Sequence, residues 1–205
     1  MRIILISLFL LFYFTAVSQN IKGGLIAGVS TSQVSGDQLS GFNKAGLTAG
    51  ALAKTSFSEK SEIEIELLYV QKGSVKNINP DKNDNIYYRL KLNYVEVPLV
   101  YKYKAGDKWT FDVGASYGRL IHSSEEDENG EFPSVVPFKK NELSINGGLN
   151  YLLFGNVIMN WRISQSVLPV RPHSSGATFR LNRGQYNTVL MFLLKYEFGS
   201  GNTEK

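Results

Sequence analysis

Apolar and polar residues alternate along most of the chain beyond residue 20, in eight separate segments. The third segment shows the pattern clearly, because odd-numbered apolar residues interleave with even-numbered glutamates: Ile63, Ile65, Leu67 and Tyr69 against Glu62, Glu64 and Glu66. A period of two predicts β-strands that have one apolar and one polar face. Most segments reach the roughly 9–11 residues that a tilted membrane-spanning strand needs. The pattern therefore predicts an all-β fold built from eight strands.

The connections between these segments alternate in length. Three are short and turn-like, at residues 58–61, 105–108 and 155–156, and four are long and polar, at residues 31–44, 73–86, 121–142 and 165–185. In outer membrane barrels the short turns face the periplasm and the long loops face the exterior. The order therefore predicts an antiparallel up-and-down transmembrane β-barrel in the outer membrane, with its N- and C-termini in the periplasm.

A soluble β-sandwich or lipocalin would show the same period, but its apolar face would point inward. Two features favour the inverted arrangement of a membrane barrel. The polar faces are rich in glycine, which suits the crowded interior of an eight-stranded barrel. Aromatic residues also gather at the strand ends on the apolar faces, as in the girdles of membrane barrels: Phe57, Tyr103, Trp109, Phe154 and Phe198 near the short turns, and Tyr69, Tyr117 and Tyr186 near the long loops.

The fourth segment departs from simple alternation. Its apolar residues are even-numbered up to Tyr94 and odd-numbered from Val95 to Tyr103. A β-bulge near Tyr94 would produce such a change of phase. The alternative is that this strand projects beyond the membrane, where the rule of an apolar exterior no longer applies.

The first residues are typical of a cleaved signal peptide. Arg2 precedes an apolar run at residues 3–14, and small residues at Ala16 and Ser18 precede a predicted cleavage site. The run is about 12 residues long, whereas a membrane-spanning helix needs roughly 20, so a retained anchor is the weaker alternative. We therefore expect a signal peptide at residues 1–18, a barrel domain at 19–198 and a periplasmic tail at 199–205.

Composition narrows the functional classes further. The chain has no cysteine, which excludes disulfides and thiolate chemistry. Its formal net charge of +4 is a weak bias and gives no indication of a nucleic-acid partner. We expect membrane lipid as the surrounding partner, together with envelope or secretion proteins. The pattern does not predict an oligomeric state.

Two motifs carry a family resemblance. Residues 66–73 read E-x-x-Y-x-x-K-G, and residues 94–98 read Y-x-E-x-P. The pair resembles the signatures of PorT-like outer membrane β-barrel proteins of Bacteroidetes, and the resemblance extends over nearly the whole mature chain. It implies an eight-stranded outer membrane barrel. The namesake of that group is needed for type IX protein secretion, so the resemblance also implies a structural or accessory role in the envelope or in that secretion system.

The inward faces of the predicted strands carry five acidic and five basic residues. Buried charges must be paired, so we expect a plugged interior rather than an open pore, with Arg162 as a hub that binds Glu64 and Glu66 through its forked guanidinium group. The predicted lumen network consists of Arg162, Glu64, Glu66, Glu96, Asp112, Lys54, Lys102 and Lys195, with Lys22 and Glu197 on the same faces.

Two of the long loops carry charge clusters. The third is acidic, with Glu125, Glu126, Asp127 and Glu128; the spacing fits no known calcium loop, so we expect a solvated tip and no bound metal. The fourth is basic, with Arg171, His173, Arg180 and Arg183. It could pair with the acidic loop across the barrel mouth, meet anionic lipid headgroups, contact a partner protein, or be solvated.

Catalysis is not predicted. The chain has two histidines, His122 and His173, both in predicted loops. His122 precedes two serines, which leaves a membrane-embedded lipid enzyme as one alternative, but no motif provides a nucleophile, a base and an orienting acid together. We expect no cofactor and no catalytic residue. The favoured function is a non-enzymatic envelope or secretion component, and a small pore or transport protein is the main alternative.

Overall fold

The computed structural model describes residues 21–37, 39, 41–78, 86–172 and 184–198. The predicted signal peptide and C-terminal tail lie outside this range. Within the described part of the chain, no helix is long and apolar enough to span a membrane. The described residues form nine strands: β1 Lys22–Ser35, β2 Lys44–Ser56, β3 Ser61–Lys76, β4 Tyr88–Lys104, β5 Trp109–Asp127, β6 Gly130–Phe132, β7 Asn141–Phe154, β8 Val157–Ser166 and β9 Tyr186–Glu197.

Eight of these strands close into one antiparallel barrel. Consecutive strands pair around the ring β1-β2-β3-β4-β5-β7-β8-β9, and β9 pairs with β1 to complete it. The short strand β6 stands outside the ring and pairs with the far end of β5, where Gly130 lies opposite Asp127. Three tight connections lie at one end of the barrel, the short-turn end, and the other end is the long-loop end. The predicted eight-stranded antiparallel barrel is therefore confirmed.

The two faces of the barrel wall are inverted relative to a soluble protein. Outward-facing apolar side chains such as Leu25, Leu67 and Leu99 are more than half exposed, whereas their inward-facing neighbours Glu64 and Glu66 are buried. Aromatic residues at the short-turn end are also exposed, as the girdle pattern predicts. Tyr186 was wrongly included in the second girdle, because it is buried.

The irregularity near Tyr94 is a bulge, but it lies on the partner strand. Asn93 pairs with His122 and Tyr94 pairs with Leu120, so Ile121 of β5 is the extra residue. The β4 strand itself keeps one phase, because Leu90, Leu92 and Tyr94 are buried on the same side as Glu96. The inner face therefore changes from charged to apolar along β4. A bulge in β4 itself is the wrong explanation, and the alternative of a strand that projects beyond the membrane agrees with the single phase.

Beyond the bulge, β4 and β5 remain paired at residues 88–93 and 122–127, with β3 paired to β4 on one side and β6 paired to β5 on the other. The outward face of β4 and β5 there carries Arg89 and Lys91, which both form ion pairs with Glu126. Charged groups on this face place this part of both strands outside the hydrocarbon layer. The predicted loop at 121–142 was therefore too long, and β1 and β3 likewise continue to Ser35 and Lys76. Backbone pairing continues where the apolar pattern has ended, because the hydrogen bonds of a ladder do not depend on side-chain polarity.

The lumen is divided into an apolar and an ionic sector. Inward-facing residues of β1, β2, β3 and β9 form a buried apolar cluster: Ile26, Leu52, Leu68, Val70, Val189, Met191 and Leu193. Glycines lie against this cluster, and a Cβ at Gly50 would lie 2.0 Å from the carbonyl oxygen of Leu67. On β3 and β9 the charged residues Glu64, Glu66 and Lys195 lie on the short-turn side of this cluster.

Candidate functional site in the lumen and the outer cap

Six charged side chains form a connected network in the middle of the lumen. Three are acids and three are bases, and all of them are buried. They come from five strands, and the pairs of Arg162 with Glu66 and of Lys195 with Glu64 join strands that are not neighbours in the ring. The six residues are Glu64, Glu66, Lys102, Asp112, Arg162 and Lys195. We call this group the central network. Its formal charge is balanced, which is the condition under which buried ions are tolerated.

Arg162 is held by two carboxylates. Its Nη1 and Nη2 atoms donate to the two oxygens of Glu66 at 2.6 and 2.9 Å, and Nη2 lies 3.5 Å from Oδ2 of Asp112. Glu64 was the wrong second partner. That carboxylate instead accepts from Lys102 and Lys195 at 2.7 and 2.6 Å, because it lies one inward-facing position closer to the short-turn end.

Two asparagines complete this level of the lumen and were missed in the sequence. Asn150 and Asn160 donate from Nδ2 to Oδ2 of Asp112 at 3.0 and 2.9 Å. Both occupy inward-facing positions, but an amide gives no charge signal by which to select it. Together they stabilise Asp112 at a distance from Arg162 that is too long for a good hydrogen bond.

The short-turn end of the lumen carries a separate set of ion pairs. Lys54 Nζ lies 3.1 Å from Glu62 and 2.6 Å from Glu197, and Lys104 reaches Glu62 at 2.9 Å. These pairs form the floor of an open cavity of about 520 Å³ that Lys22 also lines. This cavity ends at the central network and is a mouth of the barrel rather than a channel.

The residues of the two sequence motifs meet in the outer half of the lumen. Lys72 contacts Glu96, lies 2.8 Å from Glu142 Oε1, and places its ammonium group 4.9 Å from the ring centre of Tyr94. Glu142 also accepts from Ser144 at 2.8 Å and from Asn187 at 2.6 Å. We call this group the motif cluster: Lys72, Tyr94, Glu96, Glu142, Ser144 and Asn187.

Lys72 and Glu142 were not predicted as lumen residues. Both are even-numbered on strands whose even-numbered residues face inward, so their position in the alternation already indicated the lumen. They were overlooked because the apolar pattern ends just before Lys72 and begins just after Glu142. Gly73 follows Lys72 with a φ of +141°, and a Cβ there would lie 2.0 Å from the carbonyl oxygen of Leu90. The glycine of the first motif therefore has a steric cause.

An apolar plug closes the lumen above the motif cluster. Its six buried residues come from β1, from β4 and from the segments that follow β6 and β8: Val34, Leu90, Leu92, Tyr94, Phe138 and Val170. Phe138 and Val170 belong to connections that fold inward over the barrel end. The backbone nitrogen of Lys139 donates to the carbonyl oxygen of Val170 at 2.7 Å, which ties these two connections together.

A buried ion pair joins the acidic and basic segments above the plug. Arg171 donates to Glu125 and to Gln185, each at 2.9 Å, and its guanidinium group lies 4.1 Å from the ring centre of Phe138. We call this assembly, with Tyr88, the outer cap. Burial opposes ionisation of Glu125, but hydrogen bonds from Ser134 and Tyr88 and the charge of Arg171 outweigh it and lower the pKa of this carboxyl.

The other predicted loop residues have different surroundings. Glu125 is buried, so the expectation of a fully solvated acidic tip is wrong for that residue. Glu126 pairs with Lys91, Asp127 accepts from the backbone nitrogen of Asn129 at 2.7 Å, and Glu128 is exposed. His173, Arg180 and Arg183 lie outside the described residues. His122 and Ser123 are exposed beside a groove of about 760 Å³ at the outer end of β5.

Comparison with known families agrees with this architecture. The family described as "Outer membrane protein beta-barrel domain" matches residues 15–170, which is most of the chain. The chain belongs to this family. Membership locates the protein in the outer membrane, and the lipid-facing apolar wall of the barrel agrees with that location. A search of curated proteins finds no match.

Solved outer membrane barrels have the same fold. The attachment invasion locus protein Ail of Yersinia pestis is 13% identical, with a TM-score of 0.53 over 86% of this chain and 98% of Ail. Neisserial surface protein A is 11% identical, with a TM-score of 0.54 over 86% of this chain and 97% of that protein. Ail has also been solved with the heparin analogue sucrose octasulfate. At these identities the likeness concerns the fold alone.

Proposed function

We propose that this protein is a non-enzymatic, sealed outer membrane barrel that acts through its surfaces rather than through its bore. The observation that carries the proposal is the repeated closure of the lumen, by the central network, the motif cluster and the apolar plug. The long-loop end, with its outer cap, faces the exterior, and both termini lie in the periplasm.

The closure argues against the pore alternative on energetic grounds. A permeating ion would have to separate buried pairs such as Arg162 and Glu66, which join β8 to β3 across the ring. Leaving one partner of a buried pair uncompensated costs about 3–5 kcal/mol. The plug adds a second barrier, since its apolar side chains offer an ion no polar partner.

Conductance of purified protein in planar bilayers tests the sealed lumen. We expect no single-channel steps from the refolded wild-type barrel. Glu125→Gln, which opens only the outer cap, should also remain silent because the central network is intact. Steady, ion-selective steps from either protein would overturn the proposal in favour of a small pore.

The finer proposal is an accessory role in the envelope or in type IX secretion, as the PorT-like resemblance implies. The motif residues Lys72, Tyr94 and Glu96 are buried inside the barrel, so these motifs support the architecture and leave partner binding to the surfaces. The test is cross-linking in native outer membranes followed by identification of captured proteins. Capture of secretion components supports this role, and it should be reduced when the half-buried Glu126 and the exposed Glu128 and Glu131 are all replaced by glutamine. Capture of lipid alone would refute it.

A further inference from the structure

The motif cluster holds one more carboxylate than it has cations. Lys72 is the only cation of the described residues in the cluster, and it faces both Glu96 and Glu142. Each of these three side chains is at most 3% exposed. The nearest cation of the level below, Arg162, is committed to Glu66 and Asp112. With every group ionised, the cluster therefore carries a formal charge of −1 in a sealed interior.

A buried charge without a counter-charge is too costly to persist. The central network shows how this barrel meets the requirement elsewhere, since three acids oppose three bases there. In protein interiors an uncompensated charge either acquires a partner or is neutralised. The cluster must therefore take up a positive charge that the described residues do not supply.

Polar atoms with no partner in the described part of the chain point to the same place. The hydroxyl of Tyr94 and Oδ1 of Asn187 are buried and make no hydrogen bond there, whereas Oε1 of Glu96 contacts Lys72. A buried water could satisfy these dipoles, but a neutral water cannot supply the missing charge. On β5, Gly118 packs closely against the site, because a Cβ there would lie 3.3 Å from Cγ and Oε1 of Glu96.

We propose that the motif cluster is a binding site for one monovalent positive charge, either a proton or an alkali cation, held at Glu96. Glu142 already accepts hydrogen bonds from Lys72, Ser144 and Asn187, which stabilise its ionised form. Glu96 contacts Lys72 through Oε1 and competes with Glu142 for that one ammonium group. The charged and titratable groups that face Glu96 are Lys72 on β3, Tyr94 on β4, Glu142 on β7 and, one level below, Arg162 on β8.

Two measurements on the refolded barrel distinguish the sources of this charge. Infrared spectra in light and heavy water detect the C=O stretch of a protonated carboxyl, which identifies a bound proton. Urea unfolding at equal ionic strength in sodium, potassium or choline chloride identifies an alkali cation. Bound Na⁺ or K⁺ raises the unfolding midpoint in proportion to the logarithm of its concentration, and choline is too large to enter.

Matched variants assign the signal to the cluster. Glu96→Gln balances the charge, so we expect a folded barrel in which the carboxyl band or the cation response is lost. Glu126→Gln, on the exposed outer face, should leave either signal unchanged. Glu142→Gln serves as the second charge-balancing variant.

Three outcomes would overturn the proposal. The first is a wild-type barrel with neither signal. The second is a signal that persists in Glu96→Gln. The third is failure of both balanced variants to fold. Neither measurement depends on conductance. Ion channels formed by the wild-type protein would therefore refute the sealed barrel but would not refute the binding site at Glu96.

Discussion

Replacing Arg162 with methionine tests whether the central network carries the stability of the barrel interior. The variant keeps a long side chain of similar shape and removes the hydrogen bonds to Glu66 at 2.6 and 2.9 Å and the contact with Asp112 at 3.5 Å. It leaves three buried acids opposite two bases. Breaking a buried pair costs about 3–5 kcal/mol. Since Glu66 keeps Lys195 at 2.7 Å, we expect the lower end of that range.

The assay is urea unfolding of the barrel in lipid vesicles, followed by tryptophan fluorescence. Trp109 and Trp161 both lie on the outward face of the wall, so their emission reports contact with lipid. Arg89→Met is the matched control. Its ion pair with Glu126 is long, at 3.8 Å, and solvent-exposed, so its loss should cost less than about 1 kcal/mol.

A second variant separates lost charge balance from lost packing. Arg162→Met combined with Glu66→Gln restores two acids opposite two bases, and we expect it to recover most of the stability lost in the single variant. The reasoning is refuted if Arg162→Met costs no more than Arg89→Met. It is also refuted if the double variant is as unstable as the sum of its single changes.

Three further predictions concern the cap, the wall and the orientation. The pKa of Glu125 is lowered from 4.5, so its contribution to the stability of the outer cap is complete above about pH 4.5 and is lost as the pH falls below that value. Limited proteolysis of the outer cap should therefore accelerate only at those lower pH values. The Glu125→Gln variant should be cleaved faster than the wild type already at pH 7. Gly50→Ala should cost about 1–3 kcal/mol in urea unfolding, because its Cβ meets the Leu67 carbonyl. Gly147→Ala is the control, since a Cβ there meets no described atom within 4 Å; equal effects of the two alanines would contradict the steric argument. A cysteine placed at Val135, which is 95% exposed, should react with an impermeant maleimide on intact cells, and a cysteine placed at Asp107 should not. The opposite result would show that the short-turn end, and not the long-loop end, faces the exterior.

The alternation of even-numbered and odd-numbered positions along the strands was sufficient to predict much of the site. Even-numbered positions of β3, β4, β5, β7 and β8 face the lumen, so Glu64, Glu66 and Arg162 could be assigned to it before any contact was known. The signal failed where the apolar partner positions ended, which is why Lys72 and Glu142 were missed. The alternation also misled at Leu90 and Leu92. Apolar residues face lipid within the membrane, but these two lie beyond it and face inward as part of the apolar plug.

Sequence alone determined the eight strands of the barrel and, within the membrane, which of their faces point inward. The period of two is a local property of the extended backbone and needs only neighbouring residues. Only the tertiary structure decided which inward-facing groups meet. Arg162 binds Glu66 from 96 positions away, Lys72 binds Glu142 from 70, and Arg171 binds Glu125 from 46. Such pairs depend on the stagger of eight strands around a closed ring and on connections that fold back into it. The physical reason is that contacts across the bore depend on how the eight strands close into a ring, and the sequence pattern of a single strand does not determine that closure.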